Sequence, residues 1–378
     1  MSKNFITFIT ELNNQRYLMT FEHIVTNKIS CGFFCPFKLT ENLQLLLKKM
    51  MEFGLNLTCV CVTDESQKVE SDIPFITLEE LPNSELKPSV MFHAEQSRGP
   101  AFYDYFKKLN VELITLADIN FMETMYNFYI QNLLSIYEVH EMLADEESKK
   151  VFRAFIKGKL TQNTKDHVFA PEPQYFLEGF LPTQGDIAID GGAYDGATSR
   201  DFAMQGAQVY AFEMSAENYQ NCIPVAEKYN FTMENLGLSN REGEELYNEN
   251  GNASTKGNGN SVGRFIDLDT YVNKKDLPRV DYIKLDIEGA ELDMLHGAAK
   301  TIARWKPKMA VSAYHKWDDI FTLAKYIKSI RSDYEFQFRH YRMDCTNYSL
   351  TDEERAVLKK FNLSYCLPTV AEAVLYCR

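Results

Sequence analysis

No stretch of this chain approaches the about 18 consecutive apolar residues that a membrane-spanning helix needs, so no span is expected. The opening Met1-Ser2-Lys3-Asn4-Phe5 has no basic segment followed by an apolar one, and no secretory leader is expected. Cys-x-x-Cys pairs are also lacking. Cys31/Cys35 and Cys59/Cys61 are spaced otherwise, and Cys222, Cys345, Cys366 and Cys377 are scattered. That argues against a zinc ribbon or a thioredoxin-like site and for reduced, buried thiols. Basic charge is in short supply, with 40 Lys and Arg against 53 Asp and Glu and a net charge of -13. Such a balance does not build the dense cationic face that grips phosphates, so nucleic acid is not an expected partner. A soluble, acidic, cytoplasmic protein is expected.

What is present is ordinary globular material, 45% apolar and 25% charged. At roughly 150 residues per domain, 378 residues suggest two or three domains. Residues 1–118 alternate in an α/β manner. Strands are expected at 30–37, 55–62, 73–78, 89–93 and 111–116, and helices at 39–53 and 100–109. This reads as a small Rossmann-like parallel sheet without the Gly-rich turn of a dinucleotide site: Cys31-Gly32-Phe33-Phe34-Cys35-Pro36 has one glycine where three are wanted. A degenerate fold used for packing or recognition is expected. Residues 119–165 read as a helical connector of two helices.

Residues 166–378 carry a clearer α/β alternation. Strands are expected at 186–190, 208–213, 231–236, 280–286, 308–314, 334–339 and 371–376, and helices at 197–205, 216–229, 291–304 and 318–331. That makes an open, mostly parallel sheet of seven strands, whose last two strands have no helix expected between them. Between 248 and 260, Asn and Gly fill eight of thirteen positions, which reads as an irregular loop, with closure over a substrate as one role.

The most informative segment is Ile187-Ala188-Ile189-Asp190-Gly191-Gly192-Ala193-Tyr194-Asp195-Gly196, a buried strand entering a Gly-rich turn before a helix. A ligand belongs at the carboxyl end of such a strand. Glu213 ends the next strand, 23 residues beyond Asp190, where an acid can hydrogen-bond both hydroxyls of a ribose. A nucleoside-containing cofactor is therefore expected. The G-x-G-x-x-G register fails, and carboxylates at Asp190 and Asp195 are unsuited to a pyrophosphate. S-adenosylmethionine, with a sulfonium and an ammonium and no phosphate, suits an acid-lined turn better. In Lys284-Leu285-Asp286-Ile287-Glu288-Gly289-Ala290-Glu291 another strand ends in acids, and Asp286 is expected at the reacting centre.

Asp190–Gly196, Ala211-Phe212-Glu213 and above all Ile283–Glu291 resemble the FkbM family of S-adenosylmethionine-dependent methyltransferases. Further likenesses are Leu268-Asp269-Thr270-Tyr271, Pro307–Lys316 with Asp318 and Asp319, Arg339-His340-Tyr341 and Glu372-Ala373-Val374-Leu375-Tyr376. The resemblance spans residues 175–376. It implies a class I methyltransferase fold and, usually, O-methylation of a sugar or other small hydroxyl compound. By this likeness Asp190, Gly191, Gly192, Ala193, Tyr194, Asp195 and Gly196 hold the methionine end of the cofactor. Glu213 and Met214 lie at the ribose, and 235–238, including Leu236 and Gly237, near the adenine. Gly237 stands where alanine is common.

A sugar hydroxyl is a weak nucleophile, so a general base is expected beside it. His315, after the strand 308–314, is the leading candidate, with Asp286 or Asp318 as its partner acid, Tyr314 and Lys316 as orienting groups, and His340 as second candidate. No metal is expected, because the spacing of Asp286, Glu288 and His315 does not demand one. The expected partner is a small-molecule or carbohydrate substrate, and self-association is left open. A nicotinamide-dependent oxidoreductase and a non-catalytic scaffold are the alternatives.

Overall fold

The structure is a computed structural model and describes residues 23–36, 43–94, 102–115, 119–161, 167–248, 255–257, 259, 261–342, 351–363 and 371–378. By contact the chain divides into two compact units, Met1–Asn132 with Arg153–Val168 and Arg342–Ala371, and Leu133–Phe152 with Phe169–Tyr341 and Glu372–Arg378. Among the described residues no helix is long and apolar enough to cross a membrane.

The first unit is built on β1 (Ser30–Cys35), β2 (Asn56–Val62), β3 (Phe75–Thr77), β4 (Val90–His93) and β5 (Glu112–Thr115), ordered β3-β2-β1-β4-β5. Every pairing is parallel, as the helix-strand alternation predicts. The strands are mostly apolar in their middles because both faces are covered there. One face packs Phe33, Val60, Val62 and Phe92 against Leu43, Leu47 and Met50 of the helix Leu43–Glu52. The other packs Phe34, Cys59, Cys61 and Met91 against Phe102, Phe106 and Leu358. Leu358 comes from the helix Asp352–Lys360, which the sequence reading missed. Its start carries a capping box, Thr351 and Glu354 each bonding the other's backbone.

The second unit holds β6 (Ile187–Gly191), β7 (Gln208–Phe212), β8 (Thr232–Glu234), β13 (Tyr282–Leu285), β14 (Lys308–Ser312), β15 (Phe336–Arg342) and β16 (Ala371–Cys377). The sheet order is β15-β16-β14-β13-β6-β7-β8. β6, β7, β8, β13 and β14 run parallel, and β16 inserts antiparallel to β14. Strand order reverses at β6, which opens a crevice at the carboxyl ends of β6 and β13. Small residues Ala188, Ala211 and Ala310 on the strands leave room for Phe180, Phe202, Tyr282 and Tyr376 in the core.

Three expectations are corrected. The Asn/Gly segment is not wholly irregular: β9 (Gly237–Leu238), β10 (Gly243–Asn248), β11 (Thr255–Lys256) and β12 (Ser261–Ile266) form a small sheet, β11-β10-β12-β9. Residues 249–254, 258 and 260 of that segment lie outside the described residues. The helix expected over 291–304 is two, Glu291–Gly297 and Ala299–Trp305. Asp269 starts the second one, accepting hydrogen bonds from Lys300 N at 3.0 Å and Thr301 N at 2.8 Å. Between 119 and 161 there are three helices rather than two, Ile119–Gln131, Leu133–Met142 and Glu146–Thr161.

Candidate active site

After β6 the chain turns hard against β13. A Cβ on Gly192 would sit 1.8 Å from the carbonyl oxygen of Asp286, and the backbone there has φ +79°. Only glycine fits. Gly191 ends the strand, Ala193 is buried and Tyr194 is exposed. Gly196 then opens the helix Ala197–Met204, with Asp195 Oδ1 accepting from Ala197 N at 2.9 Å. Asp195, one residue before the cap, thereby satisfies the first N–H of this helix.

Asp190 does not lie at the lip beside Asp195, which corrects the expectation of two lip anions. It is fully buried and faces Lys284 across the β6–β13 register. Lys284 Nζ is 3.0 Å from Asp190 Oδ1, and Ser199 Oγ donates to Oδ2 at 2.5 Å. Lys284 also donates to the carbonyls of Gly191 at 3.2 Å and Gly192 at 2.7 Å. Burial opposes the ammonium, but Asp190, Asp286 and Glu213 outweigh it and raise its pKa above the ordinary lysine value. This pair holds the turn from inside.

Glu213 follows β7 and is 7% exposed. Its Oε2 accepts from Tyr194 N at 3.0 Å and its Oε1 from Ser215 N at 2.9 Å, so one carboxylate ties the turn to the end of β7. Burial raises its pKa, against the pull of those two donors and Lys284. Each oxygen retains capacity for a further donor. Asn235 extends the ledge by donating to the carbonyls of Glu213 at 2.9 Å and Met214 at 3.2 Å. Met214 and Leu236 are half-buried. The departure at Gly237 has a steric cause, since a Cβ there would lie 2.4 Å from the Phe265 ring on β12.

Asp286 follows β13. Its Oδ2 accepts from Tyr175 Oη at 2.8 Å and its Oδ1 from Tyr314 Oη at 3.2 Å. Burial acts to raise its pKa, but Lys284, His315 and the hydroxyls of Tyr175 and Ser312 prevail and lower it. His315, after β14, stands among three acids. Its Nδ1 is 2.9 Å from Glu291 Oε1, and its Nε2 is 3.5 Å from Asp286 Oδ1 and 3.4 Å from Glu288 Oε2. Burial disfavours the imidazolium, yet Glu291, Asp286 and Glu288 raise its pKa to about 9. Burial pushes Glu288 up to about 7, despite His315. Among the described residues Asp286, Glu291 and His315 are the group whose donor atoms are close enough to hold a metal ion.

The sequence reading missed Gln174, Tyr175, Ser312 and Glu372. Gln174 Nε2 donates to Glu372 Oε2 at 2.6 Å and to Tyr175 Oη at 2.9 Å, and Ser312 Oγ is 3.1 Å from the same hydroxyl. Only tertiary structure brings these to Asp286. Tyr175, Tyr194 and Glu288 all have positive φ, 67°, 50° and 54°, a rare concentration of left-handed non-glycine backbone around one site. His340 is not brought to this group. It is fully buried on β15, its ring 4.7 Å from that of Phe169. Asp318 leads into the helix Asp319–Ile330, where Asp319 accepts from Lys316 N at 2.6 Å.

The strand order, with its inserted antiparallel strand and a glycine turn at the switch point, defines a Rossmann-like fold of the class I methyltransferase kind. The resemblance to the FkbM family is borne out: residues 264–362 match the family model described as the methyltransferase FkbM domain. The matched range holds Asp286, Glu288, Glu291 and His315; the glycine turn and Glu213 precede it. The methyltransferase FkbM from Methylobacillus flagellatus KT shares the fold, with a TM-score of 0.66 at 18% identity over 99% of this chain and 98% of that one. The precorrin-6y C5,15-methyltransferase of Geobacter metallireducens GS-15 matches 52% of this chain and 81% of its own at 11% identity and a TM-score of 0.32. The precorrin 8w decarboxylase of Methanobacterium thermoautotrophicum matches 52% and 82% at 13% identity and a TM-score of 0.29. Those last two scores are too low to bear on fold or function. No curated protein matches the chain in sequence.

Proposed function

We propose that the chain is a soluble, cytoplasmic S-adenosylmethionine-dependent methyltransferase that O-methylates a hydroxyl of a sugar, glycan precursor or small metabolite. Residues 166–378 form the catalytic domain in this reading, 1–118 a separate α/β domain and 119–165 the connector. The observation that carries it is Glu213, a nearly buried carboxylate at the end of the second strand that also braces the backbone of the glycine turn. It suits the two hydroxyls of a ribose. The rest of the ledge fits the same cofactor. Gly192 leaves a cradle that a Cβ would fill, and the buried ammonium of Lys284 is engaged by Asp190 and two carbonyls. Glu213 and Asp286 give the ledge a negative lining that suits a sulfonium better than a diphosphate.

When bound, S-adenosylmethionine supplies an electrophilic methyl group. The protein's part is to hold an acceptor oxygen in line with it, and such positioning contributes several kcal/mol, on the order of 7 or more in favourable cases. Asp286 and His315 are placed to orient the acceptor hydroxyl, and Glu288, raised to about 7, to take its proton, worth about 10²–10⁴-fold. Tyr175 and Tyr314 fix the Asp286 carboxylate. Incubation with methyl-labelled cofactor and fractionated glycan and metabolite extracts tests this. Label entering a hydroxyl-bearing compound is expected, and failure of every fraction contradicts the activity.

A further inference from the structure

We propose that Asp286, Glu291 and His315 form a binding site for one divalent metal cation, with Glu288 in reach as a further donor. A carboxylate oxygen of Asp286, one of Glu291 and a ring nitrogen of His315 all lie within 4.8 Å of one another. Glu288 Oε2 is 3.4 Å from Nε2 of the same imidazole. Asp286 and His315 stand in the loops just past β13 and β14, and Glu291 is the first residue of the helix Glu291–Gly297.

Hydrogen bonding leaves part of the cluster unmatched. His315 has a side chain 8% exposed and is walled by carboxylates at both ring nitrogens, Glu291 at Nδ1 and Asp286 and Glu288 at Nε2. Glu291 is fully buried, and although its Oε1 accepts from Ile287 N at 2.9 Å, its Oε2 has no partner. Among the described residues neither Glu288 nor Glu291 is ion-paired to a lysine or arginine; the imidazole is the cationic partner of each. Lys284, the nearest buried ammonium, is held by Asp190 and by the carbonyls of Gly191 and Gly192. Three carboxylates converge on a single imidazole, an excess of negative charge that one bound cation would offset. Asp286 and Glu288, with side chains 25% and 28% exposed, leave a path for an ion to enter.

Two or three carboxylate oxygens with one imidazole suit Mn²⁺, Fe²⁺ or Zn²⁺ better than Ca²⁺, which takes six to eight oxygens. So few protein donors leave coordination positions for water or for the oxygen of an acceptor hydroxyl, whose acidity a bound cation raises. That use of the ion rests on the methyltransferase reading; its binding does not.

The test uses the full chain, stripped by a chelator and titrated with Mn²⁺ alone, free ion being read by electron paramagnetic resonance. One Mn²⁺ per chain is expected, bound at least about tenfold more weakly by His315→Gln and by Glu291→Gln, with a smaller loss in Glu288→Gln. Thermal melts and S-adenosylmethionine calorimetry on the same samples show whether each variant is folded. No Mn²⁺ binding by the unaltered chain, or undiminished binding by folded His315→Gln and Glu288→Gln, overturns the site. Cofactor binding without Mn²⁺ binding sinks the metal site and leaves the methyltransferase reading standing. Mn²⁺ binding at these residues without cofactor binding supports the metal site and sinks that reading.

Discussion

The two parallel sheets of this chain differ less in architecture than in what stands at their strand ends. In the five-stranded sheet the sole glycine of β1, Gly32, sits inside the strand, and the sequence that follows, Pro36-Phe37-Lys38-Leu39-Thr40, holds no glycine. Its strand-end polar groups are engaged in their own loops. Thr63 donates to Gln67 Oε1 at 2.9 Å, and Thr77 N donates to Glu80 at 2.7 Å. In the seven-stranded sheet, β6 runs into glycines, while Glu213, Asp286 and His315 stand just past β7, β13 and β14. Topology supplies a crevice to a parallel sheet. Chemistry depends on whether glycines and charges fall at its mouth.

Glycine substitution gives the sharpest contrast. Gly192→Ala, with its Cβ 1.8 Å from a backbone oxygen and φ +79°, is expected to cost about 3 kcal/mol or more and to abolish cofactor binding. Gly32→Ala meets the Met91 sulfur at 2.8 Å, the flexible end of a side chain, and is expected to cost about 1–2 kcal/mol. Chemical denaturation of both variants checks the order, and equal losses would erase the distinction. Next comes the buried ion pair. Lys284→Met leaves Asp190 buried and unpaired and is expected to cost about 3–5 kcal/mol, part of which the added change Asp190→Asn restores. Glu79→Gln, which breaks the exposed pair with Lys360 in the other unit, should leave the melting temperature unmoved.

Two smaller effects follow from titration. Burial raises the Glu213 pKa, so the charged form is disfavoured in the folded chain. Its stabilising contribution is present below the ordinary glutamate value and lost as pH rises through the folded one. At neutral pH Glu213→Gln should therefore shift the melting temperature by only about 3 °C while still weakening the cofactor. In the first sheet, burial lifts the Cys31 and Cys59 thiols to about 11. Their contribution to stability is full below pH 9, the ordinary thiol value here, and falls as pH rises from there through 11. Thiol titration at pH 8 should find both slow until the chain unfolds.

The strands of both sheets were legible to within a few residues because buried parallel strands are short, apolar and bounded by turn residues. The β9–β12 sheet was hidden by the Asn and Gly content of 248–260, and its tertiary pairing overrides that composition. The helix at 352–360 had a readable signal, Thr351 and Glu354 at capping-box spacing. Glu213, Asp286 and His315 were readable because each follows a strand. The inward turn of Asp190 was not, since it depends on Lys284, 94 residues away on the adjacent strand. Gln174, Tyr175 and Glu372 escaped for the same reason.

Calorimetric titration of S-adenosylmethionine into the unaltered chain and into Glu213→Ala is the shortest route to a decision. One molecule bound per chain, and an affinity at least about tenfold weaker in the variant, is the predicted outcome. Equal affinities, or tight binding of a nicotinamide dinucleotide by a chain that ignores S-adenosylmethionine, would contradict it.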